Sequence, residues 1–391
     1  MENLKIGIIG IGNMGSAHAN CIARGEIEGM KLWAVCDIDK TKIAEFKKIY
    51  PDVNSYSDFN QLLKDKNLDA VIIAVPHPLH SKMAIKAFEN GLNVLLEKPA
   101  DISVSKVQLL NKAAKETGKV FSMMFNQRTH PLFCKAREIV NSGKLGELKR
   151  VNWVVTNWYR TQHYYDSGDW RATWAGEGGG VLLNQAPHNL DLLQWICGMP
   201  ESVVGFCDVA RYHNIEVEDD VTIYLKYKNG ATGTFITSTG EFPGTNRLEI
   251  IGEFGKIVLE NNLLKWWQLN ESERDFCYKS NKSFAAIDYD YSEYKNEDSE
   301  SGHKGILQNF ANAILFGEEL IARGEEGINE LTISNAAYLS EWLCNKEIKL
   351  PMDNKKFDKL LNAKIKSSAF ESKNDSVKLT ENYKERWQVN W

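Results

Sequence analysis

The sequence predicts an α/β protein in two parts, a doubly wound parallel sheet followed by an α+β region built on a large, open, mostly antiparallel sheet. Three observations carry that expectation. Apolar runs of strand length alternate with helical segments over the first third of the chain, the pattern of a parallel sheet covered on both faces. Beyond about residue 126 the runs alternate apolar with polar residues and are joined by hairpin signals. Finally, 391 residues with 43% hydrophobic and 25% charged side chains suit two globular domains better than one. The expected boundaries are 1–125, 126–365 and a tail, 366–391.

Composition excludes several classes of function. A formal net charge of -5 argues against a nucleic-acid or anionic-membrane binder and points to small-molecule partners. Seven scattered cysteines without a CxxC pair suggest neither a disulfide framework nor a zinc site, so no metal is expected and a reducing compartment is. No cleavage site precedes the strand-like run from Leu4, and no apolar stretch approaches the ~20 residues that span a bilayer. A cytoplasmic protein is expected.

In chain order, residues 4–9 read as a strand, Gly10-Ile11-Gly12-Asn13-Met14-Gly15 as a turn and residues 16–24 as a helix. Gly10 permits the tight turn, Gly12 lets the backbone approach a pyrophosphate, and Gly15 lets the helix pack against the strand. With Ile11, Asn13 and Met14 they form a cradle at a helix N-terminus, where free N–H groups favour an anion. A strand at 31–36 delivers Asp37 twenty-two residues after Gly15, where an acid that binds ribose hydroxyls is expected. Its charge would repel a 2′-phosphate, so NAD is expected over NADP. The plainer alternatives are an ordinary αL turn and a helix N-cap at Asp37; strand, turn, helix and acid together favour a dinucleotide-binding Rossmann domain.

The alternation continues with a strand at 69–75, a helix at 81–90 stopped by Gly91, a strand at 93–96, a helix at 104–117 capped by Ser103 and ended by Gly118, and a strand at 120–125. In such sheets ligands bind beyond the carboxyl ends of the strands. There stand Pro76, His77 and His80, then Glu97-Lys98-Pro99, then Asn126, and these join the expected cofactor contacts. The histidines have an alternative as idle, solvated loop residues. Lys98 is the first candidate for chemistry, against the alternative of a strand-end ion pair with Glu97.

In the second half a helix at 132–142 leads into a strand at 148–159, in which Val151, Trp153 and Val155 alternate with polar residues. Strands follow at 203–210, 221–227 and 231–239, with a hairpin turn at Asn229-Gly230, and a meander at 247–268. A sheet with one face free needs a cover, so a homo-oligomer, dimer or tetramer, is expected. Residues 270–301 read as a long polar loop, 305–315 and 327–344 as helices, and the tail as charged but anchored by Trp387 and Trp391. The run from Gly178 to Trp195 is the densest constellation. From Asn184 onward its spacing is helical, with Asn184, His188 and Asp191 on one face and Pro187 in the first turn. Trp158, Tyr159, Arg160, Tyr164, Tyr165, Trp170 and Arg171 form an aromatic and basic cluster suited to stacking on sugar rings and holding hydroxyls, although about half of such aromatics are expected to be core. Asn184, Arg128, Trp158, Tyr164, Trp170 and Arg171 are the expected substrate contacts.

The glycine turn, Glu97-Lys98-Pro99 and the glycine-rich lead into the helix with His188 together resemble the Gfo/Idh/MocA oxidoreductases, over essentially the whole chain. The resemblance implies NAD- or NADP-dependent chemistry on sugars and cyclitols, with Lys98 polarising the reacting hydroxyl and His188 as acid/base. Many members carry an Asp four residues before that His; here Asn184 stands there and cannot titrate, so it reads as a substrate hydrogen-bonder. Asn184-Gln185 is also similar to members that oxidise the C3 hydroxyl of glycosides. The expected reaction is hydride transfer from a secondary carbinol to NAD. Alternatives are a glycosidase working through a transient 3-keto intermediate with bound NAD, an NADPH-linked carbonyl reductase, and a non-catalytic nucleotide or sugar sensor.

Overall fold

The computed structural model describes residues 3–168, 170–296 and 301–368. Its first sheet has six parallel strands, β1 (Leu4–Ile9), β2 (Met30–Cys36), β3 (Asn54–Tyr56), β4 (Ala70–Ile73), β5 (Asn93–Leu96) and β6 (Phe121–Met123), in the order β3-β2-β1-β4-β5-β6. Ile6, Ile8, Val71, Ile72, Val94 and Leu95 are wholly buried, as strands covered by helices on both faces must be. The strand order reverses between β1 and β4, which opens a crevice beyond their carboxyl ends. β3 is the strand that apolar periodicity does not reveal, because Asn54 and Ser55 are exposed at the sheet edge.

Two helix starts differ from the sequence reading. Asp39, not Asp37, caps Lys40–Ile49, accepting from the Thr41 and Lys42 backbone N–H groups. Ser103 precedes Val104–Thr117, but its hydroxyl donates to Asp358, and the Val104 N–H donates to Asn335 Oδ1 instead.

The second sheet contains β7 (Leu148–Val155), β8 (Ser202–Val209), β9 (Glu218–Lys226), β10 (Thr232–Ser238), β11 (Asn246–Gly252), β12 (Gly255–Glu260), β13 (Leu263–Leu269), β14 (Tyr289–Lys295) and β15 (Ile348–Lys349). Their order is β14-β13-β12-β11-β7-β10-β9-β8-β15, antiparallel throughout except for the β7–β10 pair. Val151, Trp153, Val155, Ile223, Phe235 and Ile250 bury one face, and Gly327–Trp342 packs there closely enough that a Cβ on Gly205 would stand 2.5 Å from the Ala337 carbonyl oxygen. Val154, Thr222, Tyr224, Ile236, Ile251 and Trp267 on the other face stay partly exposed.

Two further expectations are corrected. The supposed loop 270–301 contains the helix Glu273–Lys279 and strand β14, paired with β13; β14 is an edge strand with exposed or half-buried side chains, and its alternation of Tyr289 and Tyr291 with Asp290 and Ser292 is short and set among charged residues. The helix expected to run on from Asn184 is two helices, Val181–Asn184 and Pro187–Cys197, because Pro187 has no N–H to continue the first and instead opens the second. The chain also forms a helix at Asn354–Ser367, capped by Asp353 and anchored by buried Phe357 and Leu361. Trp387 and Trp391 lie outside the described residues.

Candidate active site

The glycine turn after β1 is constrained at two positions and open at the third. Gly10 has φ +88°, and a Cβ there would stand 2.4 Å from the Ala74 carbonyl oxygen; at Gly15 it would stand 1.8 Å from the Gly10 oxygen. At Gly12 it would meet nothing within 4 Å among the described residues. That space lies over the start of the helix Asn13–Ala23, which has no side-chain cap among the described residues, so its first N–H groups remain for a phosphate. Asp37 accepts from the Ile11 N–H through one oxygen and from the Asp39 N–H through the other, both at 2.9 Å. The carboxylate thus stiffens the turn and still has lone pairs for ribose hydroxyls. These residues fit NAD.

From that turn a cleft of about 1010 Å³ runs past Asp37, Pro76 and His77 to Glu97 and Lys98 at the end of β5. Its far wall comes from the second half of the chain: Tyr164, Trp170, Arg171, Asn184 and His188. Gly10, Gly12, Asn13 and Met14 line it, whereas Ile11 and Gly15 belong to the turn without forming its wall.

Lys98 Nζ donates to the Asn184 carbonyl oxygen at 2.6 Å, joining the two walls. Loss of solvent pushes its ammonium below the usual lysine range, against the opposing charges of Glu97, Glu330 and Glu177. Beside it Glu97 Oε1 meets His18 Nε2 at 2.8 Å. Burial opposes ionisation of Glu97, but the hydrogen bond and charge of His18, with His303 and Lys98, hold its carboxyl at about 2. His188 is buried with its Nδ1 unpartnered among the described residues. Burial, reinforced by Lys98 and His303, pushes its pKa well below that of free imidazole, so the ring is neutral.

Other expected residues are placed differently. His77 and His80 are buried rather than solvated. His80 sets both ring nitrogens 2.7 Å from carbonyl oxygens, those of Pro99 and Val75, and so ties the β4 loop to the Lys98-Pro99 turn rather than offering a polar atom to the cleft. His77 Nδ1 lies 3.1 Å from the Glu177 carbonyl oxygen, and its ring packs edge-on against Trp170. Trp158 lines the cleft as expected, although it is wholly buried and donates to Asn189; Tyr165 donates or accepts at Thr239 and is core.

Arg128 and Asn126 do not line the cleft. Arg128 is 1% exposed and forked onto Asp191 at 2.6 and 2.8 Å, with Glu326 and the Ile321 carbonyl as further acceptors, so its fork is spent inside the protein and not on substrate. Asp191, expected on the face of Asn184 and His188, is therefore turned into the core. Sequence reasoning missed Glu177, whose Oε1 accepts from Asn184 Nδ2 and whose Oε2 accepts from the Ala172 N–H at 2.6 Å. It also missed His18 and His303, the latter at the cleft. A lone Glu in a glycine-rich stretch carries no periodic or motif signal.

Residues 4–125 match the family described as "Oxidoreductase family, NAD-binding Rossmann fold", and residues 133–258 that described as "GFO/IDH/MocA C-terminal domain". The chain is 27% identical over 263 residues to the scyllo-inositol 2-dehydrogenase (NAD(+)) of Bacillus subtilis, covering 66% of this chain and 74% of that one. It is 26% identical over 293 residues to the levoglucosan dehydrogenase of Pseudarthrobacter phenanthrenivorans, covering 66% and 74%. The WlbA dehydrogenase from Bordetella pertussis, solved in complex with NADH and UDP-GlcNAcA, superposes with a TM-score of 0.77 at 25% identity, covering 90% of this chain and 100% of that one. With both halves matched and the glycine turn, Lys98 and His188 on one cleft, the chain belongs to the Gfo/Idh/MocA family of NAD-binding oxidoreductases.

Proposed function

We infer that the protein oxidises a secondary hydroxyl of a sugar, glycoside or cyclitol, with His188 as the acid/base and Lys98 polarising the hydroxyl. The observation that carries this reading is the meeting of Lys98 and His188, from the two halves of the chain, in the cleft that begins at the glycine turn. NAD, when bound, supplies the hydride acceptor. A neutral imidazole can take the hydroxyl proton, and the ammonium of Lys98 stabilises the oxygen as negative charge develops on it. Tyr164, Trp170 and Arg171 offer a ring face, an indole and a guanidinium to a polyhydroxylated substrate, with Arg171 stacked 4.5 Å over Tyr164 and 4.6 Å over Trp170.

Relatives named for scyllo-inositol and levoglucosan support the substrate class. The C3 hydroxyl of a glucoside is the finer candidate, from Asn184-Gln185. A second copy covering the partly exposed face of the nine-stranded sheet would make the protein a homo-oligomer, measurable by light scattering. Cytoplasmic residence is supported by seven free cysteines, and no helix among the described residues is long and apolar enough to cross a membrane.

The test is a panel of scyllo-inositol, myo-inositol, levoglucosan and aryl glucosides with NAD, following reduced-nicotinamide absorbance alongside aglycone release. Reduction of NAD by a polyol is expected. Aglycone release without net reduction would favour the glycosidase, and no turnover of any polyol would count against the reading.

A further inference from the structure

Asn184 is tied twice, through its main chain to Lys98 and through its side chain to Glu177. Glu177 is 1% exposed and has little freedom to move. A Cβ on the preceding Gly176 would stand 2.2 Å from the Trp170 carbonyl oxygen, and one on Gly178, at φ +78°, would stand 2.4 Å from Ile102 Cγ2. Its backbone N–H donates to Thr173, its carbonyl meets His77, and Oε2 is held by the Ala172 N–H. Only Oε1 remains, and it takes the Asn184 amide. A carboxylate can only accept, so the end of the amide facing it must be the NH2. The same NH2 lies 3.4 Å from the Tyr164 hydroxyl, which also receives Arg171 Nη1 at 2.8 Å.

We propose that Glu177 is a positioning residue for substrate: it holds Asn184 with its NH2 inward, leaving the carbonyl Oδ1 to the cleft, where it selects a polyol presenting a hydroxyl donor beside the reacting carbon. This rests on the polyol reading. The carboxylate of Glu177 stands one hydrogen bond behind Asn184, so it orients the contact rather than making it.

The arrangement is sensitive to protonation. A protonated Glu177 has an O–H to donate, lets the amide turn over, and presents NH2 donors to the cleft instead. The groups facing the carboxyl are Arg171 from its own loop, Lys98 from the end of β5, His77 from the β4 loop, and Tyr164 and Tyr165 from the helix Gln162–Asp166. Burial pushes the carboxyl up to about 7, with Arg171, the Ala172 N–H, Asn184 and Lys98 pulling the other way. Substrate affinity should therefore weaken as pH falls through neutrality.

The substrate-free test uses protein labelled with ¹⁵N-asparagine. The side-chain amide signal that vanishes in Asn184→Asp is expected to move with a midpoint near neutral pH in the wild type and to stand still in Glu177→Gln. A signal that behaves identically in both proteins overturns the proposal. This arm needs no turnover, so a failure of the polyol panel counts against the proposed function and not against Glu177. With whichever of scyllo-inositol, myo-inositol or levoglucosan is oxidised, Glu177→Gln should raise KM about tenfold above neutral pH, leave NADH affinity unchanged, and flatten the rise of KM below neutrality. Glu177→Asp should recover part of the loss. An unchanged KM, or equal losses in KM, kcat and NADH affinity, overturns the positioning role.

Discussion

The ammonium of Lys98 reaches 2.6 Å to the backbone carbonyl of Asn184, eighty-six residues away, and this one bond joins the end of a parallel strand to the glycine-rich segment of the second half. Because the acceptor is main chain, no side-chain substitution at 184 removes it. Lys98→Ala should therefore lose both the charge proposed to act at the reacting oxygen and this bond between the walls. Turnover is expected to fall by about a hundredfold or more, with NADH binding by fluorescence titration retained. Full activity in that variant would return Lys98 to a simple strand-end ion pair.

Asp37 spends one lone pair on the Ile11 N–H and another on the Asp39 N–H. Asp37→Ser should narrow the preference for NAD over NADP, measured as a ratio of kcat/KM values, by removing the charge that repels a 2′-phosphate. It should also raise KM for NAD, since the turn loses its brace. A wild type with the lower KM for NADP would contradict the role.

His188 is already neutral, since burial, reinforced by Lys98 and His303, depresses its pKa. The proposed base, with a depressed pKa, is competent at every pH above that value, so its limb in kcat/KM for oxidation is expected on the acid side of the free-imidazole value. His188→Asn should cut the rate by about a hundredfold or more and remove that limb. An overlaying pH profile at similar rate would pass the proton to another group.

Arg128 has its guanidinium committed to Asp191 and Glu326 in the interior. Arg128→Met leaves a buried carboxylate unpaired and should lower unfolding free energy by about 3 kcal/mol or more in urea titrations. Adding Asp191→Leu should restore most of that loss. Were Arg128 instead a substrate contact, the single variant would keep its stability and raise KM.

His130 is buried, its Nδ1 accepts the Leu132 N–H, and burial pushes its pKa down from 6.5 to about 4. Between those values the unfolded chain binds the proton and the folded one does not, so stability falls as pH drops from 6.5 towards 4. His130→Asn keeps a capping oxygen and should flatten part of the decline in urea midpoint. The remainder belongs in part to His303, depressed to about 4 by burial and His18.

The cofactor half was legible because its signals are local. Glycines at 10, 12 and 15, a β5 run ending at Lys98, and Asp37 after a strand are statements about adjacent residues, and backbone sterics convert them directly into a turn, a helix N-terminus and a strand end. The weaker signals failed for equally local reasons. β3 and β14 are edge strands whose side chains meet water, so β3 shows no apolar pattern and β14 only the short alternation of Tyr289 and Tyr291.

The chain order alone thus determined a dinucleotide turn, a lysine at a strand end, a histidine in a helix and the family they spell. Only the tertiary structure decided what each faces. Arg128 was drawn to Asp191 across sixty-three residues of sequence, because a guanidinium excluded from water must be matched by a carboxylate wherever folding brings one. Glu177, Asn184 and Lys98 became one hydrogen-bonded group for the same reason: buried polar atoms take their partners from what lies nearest in space, and sequence spacing does not record that distance.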